Sequence, residues 1–383
     1  MLKKIYYFAK NFFLVTIPSI IIFVLFFEFV VFRTMLPASD MPYRSVITSS
    51  EDVARFAYIH GMYDKGVYRK GEIKARYNIN KEGWNSNKEY IEQKSDKIRI
   101  AVIGDSYVEA LNVDADKSLA EVLEAAAIKE IGNKVEVYRF GFGGAPLSQY
   151  FQMMRYVKKK YNPDAIIIII VHNDFIESIK GFGEERGDFL KFTKKDGLWV
   201  EVEPKPYAYV PNHVKMALKH SSIFRYLHYN LNIRESLYFL SSKFKGRDFK
   251  MNVDIDGITA NLDNIRDLCY NIFSKYKETL GLDTKFLLVM DGDRETIYKG
   301  NDPKKEKLYA LNMIAYDTAE KLSIPFIDLN DIFIADYKNN KKQFNFKYDK
   351  HWNERGHFLA GSAVAKFLLD HGWCSYDDKG GER

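Results

Sequence analysis

Four short stretches of the chain carry the residue types of a nucleophilic serine reaction. They are Gly104-Asp105-Ser106, the glycine-rich Gly141-Phe142-Gly143-Gly144, His172-Asn173-Asp174, and Asp349-Lys350-His351-Trp352-Asn353. A hydroxyl nucleophile needs a base within hydrogen-bond reach, the base needs an orienting acid, and the oxyanion of an acyl-transfer intermediate needs donors. The four stretches together contain one of each. Ser106 stands just after a small-residue turn, where free backbone N–H groups favour a developing negative charge. Taken singly, each stretch has a plainer reading: Gly-Asp-Ser and Asn173-Asp174 cap helices, and His351 beside Asp349 makes a surface pair. Their occurrence together changes the weighing. His172 and His357 read as structural histidines, and Asp105 as the organiser of the serine turn.

These residues are useful only if the chain brings them to one place. Ile98–Ile103, interrupted by Arg99 alone, is an apolar, β-branched run that suits a strand buried on both faces. Ser118–Ile131 has helical spacing, Val135–Phe140 reads as a second strand, Leu147 to about Lys160 as a helix, and Ala165–Val171 as a central strand. The first three stretches therefore each follow a strand and meet at the carboxyl edge of a sheet, where such folds bind ligands. Residues 175–256 break the rhythm with many Lys and Arg, Pro204 and Pro206, and aromatics; this is an insertion, either a lid or substrate-contacting element or a stabilising excursion. Alternation resumes with a helix over Ile258–Leu280, a strand over Thr284–Met290, a helix over Lys304–Leu322, a short strand over Pro325–Leu329 and a closing helix over Asn353–Leu369. The fourth stretch lies in the loop before that helix, which can return to the same edge. Strands alternating with helices predict an α/β fold with a parallel, doubly wound sheet and helices on both faces.

In this arrangement the sequence resembles the SGNH (GDSL-type) hydrolase family. Gly104-Asp105-Ser106 with Ala110 following is similar to the family's first block, Gly144 with Gly143 beside it to the second, Asn173-Asp174 to the third, and Asp349 with His351 to the fifth. The resemblance spans roughly residues 97–370 and implies a flavodoxin-like sheet. It implies Ser106 as nucleophile, His351 as base, Asp349 as its orienting acid, and an oxyanion hole from the N–H groups of Ser106 and Gly144 with the Asn173 amide. Two positions depart from the family: one residue instead of the usual two separates acid and base, and Val171 stands where a glycine two residues before Asn173 is usual. No metal or cofactor is implied. The expected activity is a serine esterase removing ester groups, O-acetyl above all, from a cell-envelope carbohydrate. The alternatives are an O-acetyltransferase of surface polysaccharide using the same triad, or a non-catalytic glycan-binding relative. The serine does not sit in a Gly-x-Ser-x-Gly elbow, which argues against an ordinary α/β-hydrolase.

The remaining composition bounds location and partners. With 383 residues, 46% hydrophobic and 28% charged, the chain has ample core for a folded domain. A net charge of +6 without a nucleic-acid motif argues against a nucleic-acid partner. Phe12–Phe32 is almost uninterrupted apolar sequence, flanked by Lys3, Lys4 and Lys10 before and Arg33 after, and about twenty such residues cross a bilayer as a helix. A cleaved signal peptide is the competing reading, but its apolar core should be shorter, and Pro37-Ala38-Ser39 offers a poor cleavage site. The early lysines favour a cytoplasmic amino terminus, so the expectation is a single-pass protein of the inner or plasma membrane with a periplasmic or extracellular domain. The expected divisions are a cytoplasmic tail and anchor (1–33), an exported stem (34–96) packing on the main domain through Phe56, Tyr58, Tyr63, Tyr68 and Tyr77, the hydrolase domain (97–370), and a tail (371–383). Expected partners are the acylated carbohydrate or another ester, the membrane, and a membrane protein that delivers acyl groups. Cys269 and Cys374 suit an exported protein without forming a disulfide scaffold.

Overall fold

The computed structural model describes residues 2–42, 44–45, 59–182, 189–204, 212–231, 233, 249–250 and 253–374. Phe56 and Tyr58, parts of the insertion, and residues 375–383 of the tail lie outside the described residues. The chain forms two compact units.

The larger unit, Pro42–Gly66, Ala75–Tyr209 and Gly246–Arg383, is built on five strands. These are β1 (Ile98–Gly104), β2 (Val135–Gly141), β3 (Ala165–Ile170), β4 (Lys285–Met290) and β5 (Phe326–Asp328). All are parallel, in the order β5-β4-β3-β1-β2. This is the flavodoxin-like order, and it places the reversal of direction between β1 and β3. The strands show why an unbroken apolar run was required. Successive side chains alternate faces, so Ala101 and Ile103 join one core with Ile166, Ile168 and Leu288, while Ile100 and Val102 join the other with Ile167, Ile169 and Leu287. Arg99 is tolerated because its buried guanidinium is fully engaged at the amino end of β1: Nε donates to Glu136 (2.6 Å) and Nη1 to the Tyr161 carbonyl (2.7 Å).

The helices of this unit include α1 (Ser106–Glu109), α2 (Leu119–Ile131), α3 (Leu147–Tyr161), α4 (Asp174–Glu177), α5 (Leu262–Leu280), α6 (Tyr309–Lys321), α7 (Leu329–Asn340) and α8 (Glu354–Asp370). α3, α5 and α6 cover one face of the sheet; α2 and α8 cover the other. α2 and α8 approach closely at Gly361, where a Cβ would stand 2.6 Å from the Leu119 carbonyl oxygen. Ser118 caps α2 through its hydroxyl, so that helix begins at Leu119. α7 was not expected: the apolar run Pro325–Leu329 reads as one strand, but the Asp328 carboxylate accepts from Asn330 N (2.9 Å) and turns the chain into a helix. Within the insertion, Lys191–Lys195 and Leu198–Val202 pair as an antiparallel hairpin. Trp84 and Tyr90, from the expected stem, are buried in the core beside Phe140 and Tyr161. Cys269 and Cys374 are both buried free thiols.

The smaller unit comprises Met1–Met41, Val67–Lys74 and Val210–Lys245, so it takes in a middle part of the insertion. Among the described residues one helix, Lys3–Met35, is long and apolar enough to cross a membrane, with a mean hydropathy of 2.6 over its most apolar stretch. Near its end the Glu28 carboxylate accepts hydrogen bonds from Ser222 N (2.7 Å), Ser221 Oγ (2.9 Å) and Ile223 N (3.0 Å). Phe32 stacks on Tyr226 at 4.3 Å. Asn230 accepts from Ser39 N (2.7 Å) and donates to the Pro37 carbonyl (3.2 Å), while Arg225 pairs with Asp40.

Candidate active site

The serine turn is fixed by its own backbone. Asp105 caps α1, its carboxylate accepting from Tyr107 N at 2.8 Å. The helix lasts one turn because Ala110 takes up a left-handed φ of +54°. α1 lies directly on the last residue of β2. At Gly141 a Cβ would fall 1.8 Å from Glu109 N, so no side chain fits there. The following turn closes by Ala145 N donating to the Phe142 carbonyl (3.0 Å), and Gly144, at φ +78°, supplies the conformation that such a turn asks of its third residue. Phe142 N donates to the Gly104 carbonyl (3.1 Å), tying this turn to the serine turn. Gly143 faces Ser106, whose Cβ is 3.9 Å from where a glycine Cβ would stand.

The structure brings Ser106, His351 and Asp349 together. His351 Nε2 lies 2.8 Å from Ser106 Oγ, and His351 Nδ1 lies 2.5 Å from Asp349 Oδ1. An imidazole that donates Nδ1–H to a carboxylate leaves Nε2 as the acceptor for the serine proton. Asp349 Oδ1 also accepts from His351 N (2.9 Å) and Asn112 Nδ2 (3.2 Å). Asp349 is buried, whereas Ser106 and His351 are partly open to solvent. Asn173 stands at the carboxyl end of β3, the neighbour of β1, and is also partly open. Gly144 follows Gly143 in the glycine turn; no hydrogen bond of the described residues assigns its N–H, or the Asn173 amide, a partner at the site.

The neighbouring carboxyls are unlike one another. Burial pushes Asp105 up to about 6, against the Tyr107 N–H bond and the nearby His351, which pull it down. Asp105 thus caps the serine turn and is also poised to titrate. Burial, reinforced by the Asp105 charge, holds Asp174 well above the usual carboxylate range. Asp174 Oδ2 accepts from Tyr150 OH (2.8 Å) and Val171 N (2.9 Å), so it braces the turn that presents Asn173. His172 is buried, bonded to Asn312 Oδ1 at 3.0 Å and lowered in pKa by burial. His357 is buried, accepts from Leu119 N (3.3 Å), and is pushed down to about 3 by desolvation. Both have structural surroundings.

Two supporting groups escaped sequence reading. The first follows β4: Arg294 is fully buried and pairs with Asp291 at 2.9 Å. Its Nη1 donates to the Lys350 carbonyl (2.8 Å) and its Nη2 to Tyr107 OH (2.8 Å), while Tyr107 OH donates to the same carbonyl (2.8 Å). Trp352 Nε1 and Gly292 N both donate to Asp291 Oδ1 (3.0 and 2.9 Å). Burial disfavours the charge on Arg294, but Asp291 and Tyr107 outweigh it and hold the guanidinium above its ordinary pKa. The carbonyl between Asp349 and His351 is therefore clamped from two sides. Position at the carboxyl end of a strand was the available signal. The second group lies behind the glycine turn: buried His60 Nε2 meets buried Glu109 Oε1 at 2.6 Å, and Asn85 Nδ2 donates to the Glu109 carbonyl (2.8 Å).

Residues 100–232 match the family GDSL-like Lipase/Acylhydrolase. The chain carries a GDSL-type acylhydrolase domain. It is an ester hydrolase. Among solved structures, the acetyl xylan esterase AlAXEase is 14% identical with a TM-score of 0.41, covering 71% of this chain and 100% of that one. A member of the lipolytic protein G-D-S-L family from Veillonella parvula DSM 2008 is 14% identical (TM-score 0.36, 71% of this chain, 98% of that one). The lipase/acylhydrolase from Enterococcus faecalis is 12% identical (TM-score 0.36, 71% and 96%). No curated protein matches the sequence.

Proposed function

We propose that this hydrolase is a membrane-anchored serine esterase whose domain faces the cell envelope and removes O-acetyl groups from carbohydrate there. The observation that carries the catalytic part is the chain Asp349–His351–Ser106, with contacts of 2.5 and 2.8 Å. His351 Nε2 takes the Ser106 proton as Oγ attacks the ester carbonyl; Asp349 stabilises the imidazolium that results. The N–H groups of Ser106 and Gly144 and the Asn173 amide receive the oxyanion, each such donor being worth about 10²–10³ in rate. The imidazolium then returns its proton to the departing sugar oxygen, and water repeats the sequence to release acetate and free serine.

The retained anchor is supported by Glu28, which accepts three hydrogen bonds from residues 193–195 positions away. Those contacts, which tie the helix to the rest of the smaller unit, support a retained anchor over a cleaved leader. An anchored esterase outside the cytoplasm meets acylated envelope glycans, which is the reason for that substrate class.

A fluorophosphonate probe should label the wild-type chain and leave Ser106→Ala unlabelled, and the variant should lose turnover of a small acetyl ester. Retained activity in Ser106→Ala would sink the proposal. Given an acetylated oligosaccharide in bulk water, the product should be free acetate; acetyl transfer to a second sugar as the main outcome would make the protein a transferase with the same triad.

A further inference from the structure

The smaller unit holds a segment that neither the triad nor the sheet explains. Residues 213–231 form two successive helical pieces, His213–His220 and Ser222–Asn230, joined at Ser221. Val214, Leu218, Leu227 and Leu231 are exposed on them, interspersed with the exposed polar residues His213, His220 and His228. Short amphipathic helices of this kind leave apolar surface that water does not favour.

What covers it follows from where the segment is attached. Between Lys10 and Glu28 lie seventeen residues without a charge. At 1.5 Å per helical residue they span about 26 Å, close to the roughly 30 Å hydrocarbon core of a bilayer. Lys10 and Glu28 therefore bracket that core, and Glu28 sits at its far boundary. Its carboxylate holds Ser221, Ser222 and Ile223, the joint between the two helical pieces. One turn further on, Phe32 stacks on Tyr226. The anchor thus pins the segment at the depth where headgroups meet acyl chains.

We infer that residues 213–231 lie in the interface of the membrane that the amino-terminal helix crosses, with Val214, Leu218, Leu227 and Leu231 entering the acyl boundary. Arg225, tied to Asp40, and Arg33, tied to Glu28, stand on the same stretch of the unit, with side chains long enough to keep their charge among the headgroups. The inference rests on the anchor proposed above, and it gives the middle of the insertion a membrane role.

The test uses the full chain with a single new cysteine at Val214, Leu218 or Leu227, labelled with an environment-sensitive fluorophore; the native Cys269 and Cys374 are buried. Val24→Cys marks the span. Proteins are reconstituted in phosphatidylcholine vesicles, checked by flotation and by turnover of a small acetyl ester. Lipids carrying a nitroxide near the headgroup should quench labels at 214, 218 and 227 severalfold more than lipids carrying it at the chain end, with the reverse at Val24. Labels that stay water-like at all three positions while Val24 responds would overturn the interfacial placement and leave the anchor standing. Shielding from aqueous iodide without lipid quenching would mean that protein covers this face, which also overturns it. Failure to float, or a silent Val24 label, would remove the anchor itself and the inference with it.

Discussion

Arg294 offers the sharpest separation of fold from function. Replacing it by Met strands the Asp291 carboxylate, which is fully buried and keeps only Trp352 Nε1 and Gly292 N as donors. Breaking a buried ion pair from one side costs about 3–5 kcal/mol. In the double variant Asp291→Asn/Arg294→Met neither charge remains, and the Asn oxygen can still accept from Trp352 and Gly292. What is left is one buried amide donor in search of a partner, about 1–3 kcal/mol. Stability should therefore recover in part. Activity should not, because the Lys350 carbonyl has lost the Arg294 Nη1 bond and keeps Tyr107 alone. A slack of about 1 Å in the loop carrying acid and base is worth roughly 10² in rate. Urea unfolding of each variant, with kcat and KM on a small acetyl ester, reads both quantities. The expected pattern is a stability partly restored, a kcat still depressed about 10²-fold, and a KM close to wild type, since Arg294 is buried away from solvent. If kcat returns together with stability, Arg294 is only a buried charge and the clamp is refuted.

Other outcomes follow from the same geometry. Gly141→Ala should fail to fold, its Cβ meeting Glu109 N at 1.8 Å, whereas Gly143→Ala meets only the Glu109 carboxylate tip at 2.9 Å and should fold with a reduced kcat; soluble yield and turnover distinguish them. Asp349→Asn should keep the fold and lower kcat by roughly 10⁴, because the wrong imidazole tautomer is then favoured; an unchanged kcat in a pH-rate series would remove Asp349 from the mechanism. His357 is pushed down to about 3 from an ordinary 6.5, so the unfolded chain binds the extra proton between these values. Its contribution to stability is complete above pH 6.5 and is lost as the pH falls towards 3, by up to about 5 kcal/mol. His357→Gln should flatten that acid limb in denaturation curves taken across the range.

The sheet was legible because its strands have no polar face. Ala165–Ile170 is apolar throughout, and only a strand sandwiched between two helical layers needs that. The helix α7 was illegible for the converse reason. Leu329 continues the apolar run of β5, and only the capping bond from Asp328 to Asn330 N ends the strand there. Leu329 and Phe333 then serve the same core as the sheet. The grouping of residues 210–245 with the amino-terminal helix was equally hidden, since it depends on Glu28 meeting backbone N–H groups almost two hundred residues away. No pattern in either segment alone announces the other.

The site divides in the same way. Ser106, His351 and Asp349 were legible as a group because the chemistry proposed for them belongs to side chains, and side chains are what a sequence spells; the structure brings the three within hydrogen-bond reach. The clamp was not, because its target is the carbonyl of Lys350, which any residue at that position would offer. The unusual spacing, with one residue between acid and base, shows what the clamp achieves. At this spacing the Asp349 carboxylate can accept the N–H of the residue two positions on, an Asx-type turn, and Oδ1 does accept His351 N at 2.9 Å while holding His351 Nδ1 at 2.5 Å. One oxygen thus fixes both the backbone and the ring of the base. The peptide unit that carries this N–H carries the Lys350 carbonyl at its other end. Arg294 and Tyr107 seize it, and Tyr107 is the residue after Ser106. The neighbour of the proposed nucleophile therefore helps to hold the loop that carries the proposed base, so the shorter spacing between Asp349 and His351 is accommodated with both side chains still in reach of one another and of Ser106.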